Sequence, residues 1–442
     1  MDGTWTSAQV EAVAPDARSL AAGRKLVAGT NWSNDGRGGG SALLWGECAG
    51  SGKAPYQVCI DLDEPAYKCS CPSRKFPCKH ALALLLRWSE GAVAEQAQAA
   101  PFADEWHKAR AGRAAKKAAR EIAPQTEAQK AAARRRAEER AGRVAQGVAD
   151  LARWLDDQAA AGIAALGRSG YRVFDDVAAR LVDAQVPGLA AAVRRCGSVA
   201  ASGSGWEERL LAEFGLLRLL VSAAGKLDEL PGPLADTVRS RLGLAPSSDD
   251  VLAGTPVRDT WEVVGLRDTT EEKLTARAVW LRGRDTGRPA LVLSFAAGGA
   301  ALPVDLVPGT AVEADLFFYP GALPLRALVG EKHSPVMPLA GPPSSVMSLP
   351  DAFDELAGAL GADPWLDRYP LVVRGTLRAG SPWRLEGAGV GVPFARHARP
   401  WELLAAGGGE ERPVVVEWTP HGLLPLAVHA ADGMVTGAEA RA

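Results

Sequence analysis

The stretch CSCPSRKFPCKHALALLL, residues 69–86, places three cysteines and a histidine within twelve positions and then continues as an apolar run. The chain holds six cysteines and six histidines, and four of these twelve residues lie here. Cys69 and Cys71 face the same way if the backbone between them is extended. Because residues i and i+2 of a helix point to nearly opposite sides, Cys78 and His80 can converge only if Cys78 lies just outside the helix that follows.

Four convergent thiol and imidazole groups predict a metal site. Zinc takes four such ligands in a tetrahedron, and Cys69, Cys71, Cys78 and His80 supply that set. Three alternatives remain. A Cys69–Cys71 disulfide would close a strained small ring, and a nucleophilic cysteine with His80 as its base would leave the other two thiols without a role. The third alternative is that the residues cluster by chance.

Composition excludes several classes of protein. Six cysteines in 442 residues are too few for a disulfide scaffold, and the net charge of −2 gives no overall attraction to nucleic acid or membrane. No stretch approaches the roughly 20 apolar residues of a membrane helix, and residues 1–20 lack the pattern of a secretory signal. The length fits roughly three domains, and we expect a cytoplasmic protein.

The N-terminal part of the chain divides into two segments. Residues 1–100 are predicted to form a small mixed module, with the finger core at 55–90. Residues 101–143 are predicted to be a basic helical linker, split at Pro124, because 107–143 hold twelve Lys and Arg against four Glu. This excess of eight charges could follow a phosphate backbone or belong to a solvated helix, and both interpretations remain open.

The rest of the chain changes from helical to strand patterns. Apolar residues at helical spacing predict an α-helical bundle over 144–245, with helices at 172–196, 206–226 and 232–243. Short apolar segments divided by Gly and Pro predict a β-rich domain at 246–335 and a second one at 336–442. The expected fold class is therefore α+β and multidomain: a small N-terminal zinc-finger module, a central bundle and a C-terminal β-rich region.

The two β-rich domains contain similar stretches. FFYPGALPLRALV (317–329) and VEWTPHGLLPLAV (416–428) share an aromatic residue, Pro, Gly, Leu-Pro-Leu and a closing apolar pair. The similarity indicates either a repeated β unit or the chance recurrence of Leu-Pro-Leu. In the second domain, PWRLEGAGV (382–390) is predicted to be a single strand.

A family resemblance is carried by residues 50–86, GSGKAPYQVCIDLDEPAYKCSCPSRKFPCKHALALLL. Cys-x-Cys, a short loop and Cys-x-His at a helix start resemble the SWIM zinc finger of bacterial SWIM family proteins. The resemblance implies Zn²⁺ bound by Cys69, Cys71, Cys78 and His80. It also implies contact with DNA or with protein partners, among them MoxR-type ATPases and von Willebrand A domain proteins.

Two function classes remain open, and neither is catalytic. In the first, the finger binds nucleic acid through Arg74, Lys75 and Lys79. In the second, the protein is an adaptor for protein partners of an ATPase-linked system and does not contact nucleic acid. No Gly-x-Ser-x-Gly or His-Glu-x-x-His motif occurs, and GECAGSGK (46–53) lacks the spacing and the Ser or Thr of a phosphate loop. We therefore expect no enzyme activity.

Overall fold

The computed structural model of the chain describes residues 10, 17–27, 31–38, 43–50, 54–62, 66–73, 77–122, 127–271, 274–297, 302–303, 305–431 and 433–437. These residues form helices and three sheets, so the α+β, multidomain prediction is confirmed. The chain divides into two compact units. The first unit comprises Met1–Pro124, Asp268–Arg277 and Ser294–Leu306, and the second comprises Gln125–Arg267, Ala278–Leu293 and Val307–Ala442. Within the described ranges, no helix is long and apolar enough to span a membrane.

The N-terminal module is a five-stranded sheet with helices on both faces. Its strands are β1 Trp32–Gly38, β2 Leu43–Cys48, β3 Tyr56–Asp61, β4 Ala66–Cys69 and β5 Glu95–Gln96, and its helices are α1 Ala17–Val27, α2 Lys79–Ser89 and α3 Pro101–Ile122. The strand order is β4-β3-β2-β1-β5, with β1 and β5 parallel and the other pairs antiparallel.

Alternation along β3 gives this sheet two apolar faces. Val58 and Ile60 point into a core formed with the apolar residues of α2. Cys59 points to the opposite face, where it packs with Trp45 and with Ala103 of α3. The first turns of α3 therefore cover the sheet, and its basic residues follow only after that contact.

The helical bundle follows in the second unit. Its helices are α4 Glu127–Ala161, α5 Leu166–Ser169, α6 Arg172–Asp183, α7 Pro187–Ala200, α8 Trp206–Ala224, α9 Gly232–Leu242 and the short α10 Ser248–Leu252. Val148, Leu151 and Leu155 of α4 are buried together with Phe174 and Leu210, as their helical spacing predicts.

The single helix predicted over 172–196 is wrong. The structure ends α6 at Asp183 and begins α7 at Pro187. Gln185 between them has a φ of 63°, a left-handed conformation that ends a helix. Pro187 is the first residue of α7, a position where its missing N–H costs no hydrogen bond.

The first β-rich domain closes into a small barrel. Its strands are β6 Val257–Glu271, β7 Leu274–Gly283, β8 Pro289–Ala297, β9 Thr310–Phe318 and β10 Arg326–Lys332, and the short β11 Met337–Pro338 pairs with β9. Strand β6 pairs with β7 and β9, β7 with β8, and β9 with β10. The parallel pair β8–β10 closes the ring. This order, with the third and fifth strands parallel, is that of an OB-fold barrel.

The second β-rich domain has the same topology. Its strands are β12 Tyr369–Arg378, β13 Arg384–Gly387, β14 Val390–Pro393, β15 Arg412–Thr419, β16 Gly422–Ala430 and β17 Gly433–Thr436, and its helices are α11 Leu349–Ala362 and α12 Trp401–Gly407. Strand β12 pairs with β13 and β15, β13 with β14, and β15 with β16. A parallel bridge from Phe394 to Leu423 joins the end of β14 to β16.

The shared strand order supports the interpretation of a repeated β unit. Residues 317–329 and 416–428 occupy the same place, running from the end of the fourth strand into the fifth. The single strand predicted over 382–390 is wrong, because this segment is the hairpin β13–β14. Ala388 and Gly389 have φ values of 50° and 77°, as a tight two-residue turn requires.

Buried polar contacts join the parts of the second unit. The Glu417 carboxylate, 0% exposed, is paired with Arg267 and accepts a hydrogen bond of 2.8 Å from Trp280 Nε1. Arg241 of the bundle donates to Asp363 at 2.6 Å. Buried charges keep their charge only when they are paired, so these contacts fix the bundle and the two barrels in register.

Candidate metal centre

Strand β4 and helix α2 bring the four predicted ligands together. Cys69 is the last residue of β4, and Cys71 follows it in an irregular segment. Cys78 is the N-cap residue of α2, with an extended backbone at φ −76° and ψ 169°. His80 lies in the first turn of the helix. Because Cys78 lies outside the helix, as the sequence predicts, its thiol and the imidazole face one point.

The distances fit one shared ion. The four ligand atoms all lie within 4.8 Å of one another. His80 Nδ1 lies 3.8 Å from Cys69 Sγ and 4.0 Å from Cys78 Sγ. Tetrahedral bonds from zinc to sulfur and nitrogen place such atoms about 3.6 Å apart, so the ligands need to move inward by only a few tenths of an ångström. These residues are positioned to bind a metal ion, and three thiols with one imidazole are a donor set typical of zinc.

The thiols interact electrically even without a metal. A hydrogen bond from Cys69 lowers the pKa of the Cys78 thiol to about 4, against the opposing effect of burial. His80 and the Ala81 N–H lower the pKa of Cys78 further. The same Cys69–Cys78 bond, together with burial, raises the pKa of Cys69. The cluster thus holds one thiolate at the start of α2, and a divalent cation must displace the protons of the other thiols.

The module's own core supports the centre. Cys78 and His80 are 1% and 4% exposed and pack with the apolar residues of α2. The ring of Tyr56, in β3, lies 4.8 Å from the His80 ring at a tilt of 36°. This contact orients the imidazole, and the spacing of the ligands alone gives no sign of it.

Comparison with protein families gives two matches. Residues 56–89 match the SWIM zinc finger, and residues 139–242 match the SWIM-associated four-helix bundle domain. This chain contains a SWIM zinc finger. The SWIM finger covers β3, β4 and α2 with all four ligands, and the bundle predicted at 144–245 is the second domain. No curated protein and no solved structure matched the chain.

The three cysteines outside the SWIM finger's ligand set are buried. Cys48, Cys59 and Cys196 are 0%, 1% and 0% exposed. Burial raises the pKa of Cys59 and of Cys196 to about 12. Their predicted role as small buried side chains is confirmed, because such thiols are neither reactive nor free to bind metal.

The structure tests the predicted nucleic-acid contacts only in part. Lys79 is exposed on the first turn of α2, beside the ligands. Arg74 and Lys75 lie outside the described residues, so their positions are not available for comparison. In the basic segment, Arg134, Arg135 and Arg136 of α4 are exposed to solvent.

A second group of possible ligands was missed by the sequence analysis. Asp315, Glu331 and His333 have ligand atoms within 4.8 Å of one another. His333 Nε2 lies 3.0 Å from Asp315 Oδ2, so this histidine already has a partner. The register of the β9–β10 hairpin brings the three residues together, and the sequence gives no sign of that register.

Proposed function

We propose that the protein is a non-catalytic binding protein of the cytoplasm whose zinc-ordered finger contacts nucleic acid. The observation that carries the proposal is the exposed Lys79 directly beside the buried ligand Cys78. Arg74 and Lys75 belong to the loop between Cys71 and Cys78. Zinc would fix both ends of that loop, so metal binding would set where its two cations lie.

The donor set favours a structural role for the metal. Four protein ligands fill a tetrahedral zinc site, whereas catalytic zinc keeps one position open for water or substrate. The ligands are also largely buried. In this proposal, zinc orders the finger and the lysine and arginine side chains contact phosphate groups. The reducing cytoplasm would keep the thiols available for the metal.

The salt dependence of binding tests this proposal. Each phosphate contact contributes a slope of about −0.9 to log K against log salt concentration on duplex DNA. In fluorescence anisotropy with a labelled duplex, the triple variant Arg74→Gln, Lys75→Gln, Lys79→Gln should bind more weakly. Its slope should also be shallower by between one and three contacts.

The matched control removes three cations from another part of the chain. The variant Arg134→Gln, Arg135→Gln, Arg136→Gln loses the same charge from an exposed face of α4. Both variants should keep their zinc, measured by atomic absorption. Equal losses of affinity in the two variants would mean that total charge, and not the finger, is responsible, and the proposal would fail.

A second candidate function is an adaptor for protein partners. Leu211 and Leu219 lie two turns apart on α8 and are 62% and 46% exposed. An exposed apolar pair on the bundle favours a protein contact, and the partners to test are a MoxR-type ATPase and a von Willebrand A domain protein. The variant Leu211→Ser, Leu219→Ser should weaken such a complex in calorimetry. Unchanged affinity would exclude this face as the contact.

A further inference from the structure

A large cleft lies within the second unit. Its volume is about 1000 Å³, at the upper end of the usual range for ligand sites. One wall is formed by helices α7, α8 and α9 of the bundle. The other wall is formed by the second barrel, through residues 395–397 and the β15–β16 turn at 419–421, and residues 365–368 complete the lining.

The lining of this cleft is strongly cationic. Six arginines line it against two carboxylates, Glu213 and Asp367. The arginines are Arg195, Arg209, Arg241, Arg267, Arg368 and Arg396. His397 and His421 also line the cleft and are exposed. The chain as a whole has a net charge of −2, so this concentration of positive charge is local and needs its own explanation.

Half of these arginines already serve the fold. Arg241 pairs with Asp363, Arg267 with Glu417 and Arg368 with Asp367. Such pairs are typical of a structural network, and they leave little charge to offer a ligand.

The other three arginines have no carboxylate partner among the described residues. Arg209 donates to Ser202 and to backbone carbonyls of the same loop. Arg195 on α7 and Arg396 after β14 are exposed and have no ion pair within the described part of the chain. They come from opposite walls of the cleft, so an anion between them would meet a guanidinium on each side. Guanidinium groups bind phosphate in a bidentate manner.

The barrel's topology places this charge next to a loop that OB-folds use for ligands. The turn at 419–421 joins the fourth and fifth strands, and OB-folds bind oligonucleotides through this loop and the face of strands two and three. The loop is internally fixed: Thr419 Oγ1 accepts from the His421 N–H at 3.2 Å and donates to the Gly422 carbonyl at 2.8 Å. A fixed loop loses little conformational entropy when it binds.

The cleft also offers apolar surface. Trp365 lines it together with Leu216, Leu217 and Leu366. The Trp365 indole N–H donates to the Leu216 carbonyl at 2.9 Å, which fixes the ring and satisfies its polar atom. Cations beside an aromatic ring are the combination that binds a single strand, with phosphates on arginine and bases on the ring.

We propose that this cleft binds single-stranded nucleic acid and that it does so without the zinc finger. A free nucleotide or an acidic peptide could also meet Arg195 and Arg396. The OB-type loop and the apolar wall favour an oligonucleotide, because they add contacts for bases that lie beside the phosphates. No catalytic step is involved.

The test uses the full-length chain carrying Arg74→Gln, Lys75→Gln and Lys79→Gln, so that the finger's cations do not contribute. A fluorescein-labelled oligothymidylate of about 12 nucleotides fits the range of OB-fold site sizes. Arg195→Gln and Arg396→Gln should each weaken binding about tenfold, the effect of losing one charge-assisted hydrogen bond. Each variant should also reduce the salt slope by about 0.7.

The matched control is Arg194→Gln. Arg194 is exposed next to Arg195 on α7 but does not line the cleft, so this variant should bind as the parent does. A bromodeoxyuridine oligonucleotide should crosslink to peptides holding residues 395–397 or 419–424. Loss of affinity in Arg194→Gln equal to that in Arg195→Gln would overturn the proposal, and circular dichroism checks that each variant folds.

Competition separates the other ligand classes. Unlabelled oligothymidylate should displace the probe, whereas ATP, duplex DNA of the same length and polyglutamate should be much weaker competitors. If ATP displaces the probe at lower concentration than the oligonucleotide does, the cleft is a nucleotide site and the proposal is wrong. If polyglutamate competes equally, the cleft binds anions without regard to bases, and the proposal is again wrong.

Discussion

At Cys78 the backbone changes from extended to helical, and this single residue decides whether the metal centre can form. Its ψ of 169° places the thiol outside the first turn of α2, so that Cys78 and His80 face the same point in spite of their i, i+2 spacing. The N-terminal end of a helix also favours a thiolate. The change of backbone conformation at Cys78 thus provides both the geometry and the charge that a zinc ligand needs.

Replacing this ligand should release the metal. The Cys78→Ser variant replaces a thiolate by a hydroxyl, a poor zinc ligand, so the zinc content should fall from about one ion per chain to well below that. Structural zinc contributes about 10–16 kcal/mol in finger peptides, so residues 41–90 should unfold locally. Atomic absorption measures the metal, and limited proteolysis with mass spectrometry locates the cleavage.

A buried thiol outside the centre provides the control. Cys59 is 1% exposed on the opposite face of the same sheet. The Cys59→Ala variant should keep its full zinc content and its protease resistance. Loss of zinc in this variant would show that the metal content follows the stability of the module and not the ligand set.

Glu355 sets a second prediction at the residue scale, on pH. Its carboxylate accepts two hydrogen bonds from Arg282, at 2.9 and 2.8 Å, and one from Tyr369, at 2.8 Å. Burial acts to raise the pKa of Glu355, but Arg282 and Tyr369 outweigh it and the pKa is lowered. A lowered folded-state pKa stabilises the fold above the unfolded-state value of about 4.3, and this contribution is lost as pH falls through the folded-state pKa.

The Glu355→Gln variant should therefore differ most from the parent near neutral pH. Its free energy of unfolding in urea should be lower than the parent's at about pH 7, and the difference should shrink toward about pH 3. The control, Glu313→Gln, removes an exposed partner of Arg258 and should have little effect at either pH. A difference for Glu355→Gln that is constant across this pH range would contradict the assigned pKa shift.

At the scale of elements, the sequence predicted most helices and strands but not their breaks. The zinc ligands, the five strands of the first barrel and the core stripe of α4 follow from spacing and periodicity. The break at Gln185 and the turn at Ala388 do not, because each depends on a left-handed backbone at a residue other than glycine. The seven-residue helix α12 was not predicted either, since two turns are too short to show a period.

Two glycines of the bundle give opposite predictions at this scale. A Cβ on Gly188 would lie 2.1 Å from the Arg241 carbonyl oxygen, where α7 meets the end of α9. Gly188→Ala should destabilise the second unit by about 1–3 kcal/mol, since backbone must shift to relieve the overlap. A Cβ on Gly215 of α8 would meet nothing within 4 Å. Gly215→Ala should stabilise by about 0.5–1 kcal/mol.

Thermal unfolding followed by circular dichroism measures both glycine variants under one set of conditions. The two substitutions are chemically identical and both lie in helices, so helix propensity favours alanine equally in each. Any difference in sign must then come from the packing of α7 on α9. Stabilisation by both variants would show that the close approach at Gly188 is not present in solution.

At the scale of the whole molecule, the closure of the two barrels is what the sequence could not predict. The first ring closes through a parallel pairing of Ala327 with Val292, and the second through Phe394 with Leu423. Such pairs join segments separated by roughly thirty residues, and local periodicity carries no information about them. The similarity of residues 317–329 and 416–428 indicated a repeat, and the common strand order gives that repeat its structural meaning.

Removal of zinc should separate the stabilities of the two compact units. The ligands Cys69, Cys71, Cys78 and His80 all belong to the first unit, and the second unit has hydrophobic cores of its own. A chelator should therefore abolish the slow hydrogen exchange of β3, β4 and α2, because the ions that ordered them are gone. Amides of β12, β15 and β16 should keep their protection, since their hydrogen bonds and packing involve no ligand residue. Added zinc should restore the first set, whereas magnesium, which prefers oxygen ligands, should not. Equal loss of protection in both sets would mean that the fold is one cooperative system.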